Sequence, residues 1–160
     1  MRTMQMTGLD ELSDKLALAE RAAQGIAKAS LYEGAGVIAD AIRGSLSQIK
    51  TEPYRYANSD NKRLPSPEEK ALVVNAQYGV AKHQGSGAEV NTVVGIAGDG
   101  YGMIGNKRVP VAMVLRSIQS GTSFMVAQPV VRKAINRAKG EASAKIAAEA
   151  EARLQQIFKD

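Results

Sequence analysis

The stretch Gly121 to Ala134, GTSFMVAQPVVRKA, constrains the fold most, because it sets where a long final helix begins. A Gly-Thr turn leads through a short bridge to a Gln-Pro pair. From Val130 on, apolar residues recur at helical spacing through Val131, Ala134, Ile135, Ala138, Ala142, Ile146, Ala150, Leu154, Ile157 and Phe158. Proline suits the first helical position, since its φ is already helical and its missing N–H would have no partner there. Gln128 then stands at the N-cap, a poorer cap than Ser, Thr, Asp or Asn. Just before this stretch, Val109 to Ser120 fits either a strand or a helix, and the residues after Pro110 favour a short helix.

A second helical pattern opens the chain. Leu9, Leu12, Leu16, Ala19, Ala23, Ile26 and Ala27 share one face, continued by Leu31, Ala35, Ile38, Ala39, Ile42, Leu46 and Ile49. Thr7 and Asp10 are capping candidates, and Asp10, Glu11 and Asp14 suit the positive end of the helix dipole. Gly25, Gly34, Gly36 and Gly44 each cost a helix up to ~1 kcal/mol relative to alanine. A break or bend is therefore expected near Gly25 or Gly34, giving one or two helices over about 9–50.

Residues 51–65 (TEPYRYANSDNKRLP) are polar, contain two prolines and read as an exposed loop. Tyr54, Arg55, Tyr56, Lys62 and Arg63 are either nucleic-acid contacts, through stacking and phosphate neutralisation, or an ordinary surface loop. Ser66-Pro67-Glu68-Glu69 is a capping box with proline at the first helical position. It predicts a helix over 67–83, with His83 at its C-terminal end. Glu89 to Ile96 reads as a strand, Gly98-Asp99-Gly100 as a hairpin turn and Tyr101 to Ile104 as the returning strand. The expected fold is α+β, with N-terminal helices and a long C-terminal helix packed on a small antiparallel sheet. Residues 1–160 form one domain in this reading.

Composition narrows the chemistry. With no cysteine and one histidine, disulfides and thiol catalysis are excluded, and a transition-metal site would have to be mostly carboxylates. No apolar run nears the ~18–20 residues of a membrane helix, so no membrane partner is expected. The opening MRTMQMTGLDEL lacks a signal-peptide core. No GxSxG, HExxH, EF-hand or Walker pattern occurs, and GIAGDGYG fails the spacing of a phosphate-binding loop. Nothing argues for an enzyme, and no cofactor is expected. The net charge of +5 is uneven: residues 1–60 carry −1 and residues 61–160 carry +6. Lys107, Arg108, Arg116, Arg132, Lys133, Arg137 and Lys139 form a run with no acid between them. Such a run faces DNA, an acidic protein surface or only solvent.

GTSFMVAQPVVRKAI resembles the "GT … aQPF(l/m)rPA" signature of a tail-component family of long-tailed phages, the neck or tail-completion subunits between head and tail. TGLDELSDKLALAERAAQGIAKASLYEGAGVIADAIR is similar to that family's opening, and EVNTVVGI with YGMI matches its central strand pair. There are departures. Arg116 to Ser120 stand where a Tyr and an acid usually precede Gly-Thr, Val130 replaces a Phe, and Lys133 replaces a second Pro. TEPYRYANSDNKRLPSPEE takes the place of another family segment, and the predicted helix 67–83 looks inserted.

The resemblance implies a structural virion protein of the tail or neck, made in the host cytoplasm. It would form a ring, commonly sixfold, around the DNA channel. Its partners would be itself and the neighbouring head-completion and tail-tube or tail-terminator proteins. Gly121 and Thr122 would shape a turn at the sheet edge, Gln128 and Pro129 would start the docking helix, and Ala134 would allow close packing. The basic run would line the channel or meet an acidic neighbouring ring, with sequence-neutral, salt-dependent binding. The alternative is a nucleic-acid-binding protein using the Tyr54–Arg63 loop and the basic C-terminal half. Against it, only seven of 160 residues are aromatic, too few for an extended stacking platform.

Overall fold

The computed structural model describes residues 9–51, 62–84 and 90–159. In chain order the elements are α1 (Leu9–Leu46), α2 (Pro67–Val74), β1 (Tyr78–Gln84), β2 (Asn91–Ile96), β3 (Tyr101–Ile104), β4 (Lys107–Pro110), α3 (Val111–Ser120) and α4 (Val130–Lys159). The architecture is α+β as expected, with a long helix at either end of the chain. Its β part, however, is two separate antiparallel hairpins, β1–β2 and β3–β4, rather than one sheet.

α1 runs 38 residues without the expected break, about 57 Å at 1.5 Å per residue. α4 lies antiparallel along it. Lys15 Nζ donates to Phe158 O near one end, Gly34 meets Ile146 in the middle, and Ala41 and Ser45 face Ala134 and Ala138 near the other. Gly34 supports this packing rather than weakening the helix. A Cβ there would fall inside the Ile146 side chain and 3.1 Å from Ala142 O. Tertiary packing along α4 offsets the intrinsic cost of the glycines.

The helix predicted over 67–83 stops at Val74, with Asn75 as its C-cap. Tyr78 to Gln84 is instead strand β1, so His83 lies in a strand and not at a helix end. Long-range pairing overrides the local pattern. β1 pairs with β2 from Tyr78↔Ile96 to Gln84↔Asn91, and Arg43 Nε and Nη2 donate to Tyr78 O at 3.1 and 2.8 Å. β2 alternates outward Asn91, Val93 and Gly95 with half-buried Thr92, Val94 and Ile96, of which Val94 and Ile96 pack on the core.

β3 does not return onto β2. It pairs with β4 through a Gly105-Asn106 turn, from Tyr101↔Pro110 to Ile104↔Lys107. Gly98-Asp99-Gly100 does turn, but it carries the chain from one hairpin to the next. Asp99 accepts the Tyr101 N–H at 3.1 Å, and the Val111 N–H closes on Gly100 O at 2.8 Å.

The core gathers at the C-terminal end of α1. Ile42, Leu46 and Ile49 pack with Val73, Tyr78, Val111, Ile118 and Met125, each large aliphatic among them contributing ~1.5–3 kcal/mol of transfer free energy. The capping box on α2 forms as read from the sequence. The Glu69 N–H donates to Ser66 Oγ at 3.1 Å, and the Ser66 N–H to Glu69 Oε2 at 2.7 Å. The 51–65 stretch is not exposed throughout, since Pro65 is fully buried. Thr7, Tyr54, Arg55, Tyr56 and the glycine-rich 85–87 lie outside the described residues.

Candidate functional site

The stretch from Gly121 to Ala134 folds into one corner at the root of the α1–α4 pair. Gly121 ends α3 at φ +72°, and its N–H donates to Ser117 O at 2.9 Å. A Cβ there would also stand 3.0 Å from Ala127 N and Met125 O, so glycine is required both by conformation and by space. The Thr122 N–H donates to Met125 O at 3.0 Å, while its Oγ1 accepts from the N–H groups of Phe124 and Met125 at 3.3 and 3.0 Å. This turn seats Met125, 2% exposed, in the core.

Gly121 and Thr122 thus shape a turn, but not at the edge of either sheet. The segment they lead into forms a parallel bridge, Arg63↔Met125. The Arg63 N–H donates to Phe124 O at 2.8 Å, and the Val126 N–H to Arg63 O at 3.0 Å. Arg63 is committed to this structure rather than offered to a ligand. Its guanidinium binds both Glu69 oxygens at 2.6 and 2.7 Å and lies 5.6 Å from the centre of the Phe124 ring.

Gln128 has a different role from the expected N-cap. Its Oε1 accepts the Lys50 N–H at 2.8 Å and its Nε2 donates to Lys50 O at 2.9 Å, a two-point clamp onto the chain just after α1. The capping function falls to Gln119, at the far end of α3, whose Oε1 accepts the Val131 N–H at 3.0 Å. Pro129 O accepts the Lys133 N–H at 3.2 Å, so the proline stands at the cap and α4 begins at Val130, one residue later than expected. Neither Gln119 nor Lys50 stood out in the sequence. Their partners are 12 and 78 residues away, and the only local signal is a polar side chain near a helix end.

This corner walls an open groove of about 880 Å³ between α1 and the first turns of α4. Ala134 and Ala138 line it with Lys50, Lys133, Arg137 and Glu141. The seven residues of the basic run are all exposed, but they do not share one face. Lys133 and Arg137, four apart, lie on the groove, whereas Arg132 and Lys139 project about 100–160° around α4 from them. Arg116 is on α3, and Lys107 and Arg108 are on the second hairpin. Arg108 is already engaged. It donates to Asp99 Oδ2 at 2.7 Å and lies 4.5 Å from the centre of the Tyr101 ring. The Tyr101 N–H first, and Arg108 second, hold the Asp99 carboxyl below the usual carboxylate range.

Among the described residues no cluster of three or more His, Asp and Glu side chains is arranged to hold a metal ion. Among them, too, no helix is long and apolar enough to cross a membrane. What the corner supplies is a fixed shape: a turn, a clamp and a groove with two basic side chains on one wall. Comparison with protein-family models, with curated proteins and with solved structures finds no match to this chain.

Proposed function

We propose that the protein is a structural subunit of the phage head–tail junction, assembling as a ring that completes the tail or joins it to the head around the DNA channel. The resemblance of the N-terminal helix and of Gly121–Ala134 to that tail-component family suggests it. Gly121, Thr122, Gln128, Pro129 and Ala134 all belong to one hydrogen-bonded corner, which is consistent with a motif kept for shape. The observation that carries the reading is the arm made by the distal parts of α1 and α4. There Leu12, Leu16, Leu18, Leu154 and Phe158 are between 38% and 53% exposed. A ring subunit needs such surface for a heterologous contact that closes by rotation.

Sequence-neutral nucleic-acid binding is the weaker reading, because the basic residues are distributed over several elements and Arg63 and Arg108 are engaged within the chain. Negative-stain imaging of the concentrated protein, with and without duplex DNA at low and high salt, separates the two. Rings with a central opening, formed regardless of DNA, are expected. Single subunits that coat DNA only at low salt would transfer the assignment to the nucleic-acid reading.

A further inference from the structure

Resting on that ring reading, we infer how one copy meets the next: the apolar flank of the α1–α4 arm packs into the basic groove at the root of a second copy's arm. The two sides of the arm differ in charge. Arg21, Arg153 and Gln156, with Ala22, Ile26 and Ile157 between them, line a shallow hollow on one side. At about 100° per residue, Leu12 and Leu16 lie roughly 140–180° around α1 from Arg21, and Leu154 about 160° around α4 from Gln156. The exposed Leu12, Leu16, Leu154 and Phe158 therefore point away from Arg21 and Gln156, and the charged groups bordering them are Glu20, Glu151 and the Lys15–Glu11 ion pair, whose Lys15 Nζ also donates to Phe158 O. The groove offers the complement: a floor of small apolar residues, Ala41, Ala134 and Ala138, rimmed by Lys50, Lys133 and Arg137 against one Glu141.

Apolar surface thus meets apolar surface, and a border of three carboxylates and one cation meets a border of three cations and one carboxylate. The size is adequate too. An arm of some 20 residues per helix presents a face of ~30 by 20 Å, of the order of the ~800 Å² per partner that stable interfaces bury. Flank and groove lie at opposite ends of the subunit, so the contact is head-to-tail and leaves one free flank and one free groove after each addition. Such a contact grows into a ring or a filament and never stops at a symmetric dimer.

Two kinds of variant test this in the full chain. The first kind damages the flank, either by Leu12→Glu with Leu16→Glu or by the charge-only pair Glu20→Lys with Glu151→Lys. The second damages the groove by Lys133→Glu with Arg137→Glu. All these positions are surface-accessible, and circular dichroism checks that each variant remains helical. Each is expected to remain a monomer by light scattering where the wild type assembles. Mixing the Leu12→Glu, Leu16→Glu variant with the groove variant is expected to give a 1:1 pair that does not grow, because one intact flank then meets one intact groove while the two altered surfaces are both acidic. Combining Glu20→Lys, Glu151→Lys, Lys133→Glu and Arg137→Glu in one chain is expected to restore assembly. Variants that still form wild-type rings overturn the contact while leaving the ring reading standing. Variants that lose assembly but form no mixed pair also overturn it, in favour of an arm-to-arm contact. A wild type that stays monomeric at several hundred micromolar overturns the contact and removes the support for a self-assembling ring. The flank would then belong to another protein.

Discussion

Glu69 shows how much one side chain organises here. It accepts two guanidinium hydrogen bonds from Arg63 and the N–H of Ser66, with its side chain only 15% exposed. Burial alone would raise its carboxyl pKa. The hydrogen bond from Arg63, the Ser66 N–H and the guanidinium charge outweigh burial and hold it below the usual carboxylate range. The unfolded chain therefore binds the Glu69 proton more readily than the folded one. The stability from this group is present above the unfolded pKa, about 4.3, and is lost as pH falls through the lower folded value. Glu69→Gln is expected to cost ~1–3 kcal/mol near neutral pH and to flatten the acid limb of stability in denaturant titrations. A variant whose acid limb matches the wild type would show that other carboxylates set it. Tyr78 is the opposite case. It is 7% exposed, and its buried hydroxyl has no hydrogen-bond partner among the described residues. Tyr78→Phe removes a desolvated polar atom without opening a cavity, so thermal denaturation is expected to show unchanged or up to ~1 kcal/mol greater stability. A clear loss would mean that the hydroxyl has a partner.

Among the elements, α1 carries the sharpest test, because neighbouring glycines sit in opposite environments. At Gly34 a Cβ would overlap Ile146, while at Gly36 it would meet nothing within 4 Å. Gly34→Ala is expected to destabilise by ~1–3 kcal/mol through overpacking, and Gly36→Ala to stabilise by ~0.5–1 kcal/mol through helix propensity. Equal and favourable effects in melting experiments would show that the two long helices do not approach at Gly34. The same contrast explains what the sequence disclosed. The capping box at Ser66 and the long final helix depend on residues within a few positions of one another and were legible, whereas Val109 to Ser120 fitted strand or helix until its packing decided for α3. The continuity of α1 depends on Ile146, β1 on a partner strand at 91–96, and the clamp of Gln128 on Lys50. No local pattern encodes those distant partners. Within the candidate site, the motif residues 121–134 do form one corner. The linear run of cations does not become one surface, because β4, α3 and two faces of α4 divide it.

At the scale of the whole molecule, the core sits at one end and a two-helix arm extends from it with leucines exposed. The groove beneath the corner carries Lys50, Lys133 and Arg137, and the far flank carries Glu20 and Glu151. Such polarity from end to end suits the head-to-tail contact proposed above. The most direct measurement is the solution mass of the wild-type chain by light scattering over a range of concentrations, at two salt levels and without DNA. The head-to-tail contact predicts a discrete closed oligomer, a whole multiple of 17.0 kDa larger than a dimer, that forms without nucleic acid and weakens at high salt. A mass that remains at 17.0 kDa at every concentration, or that stops at a dimer, would contradict it.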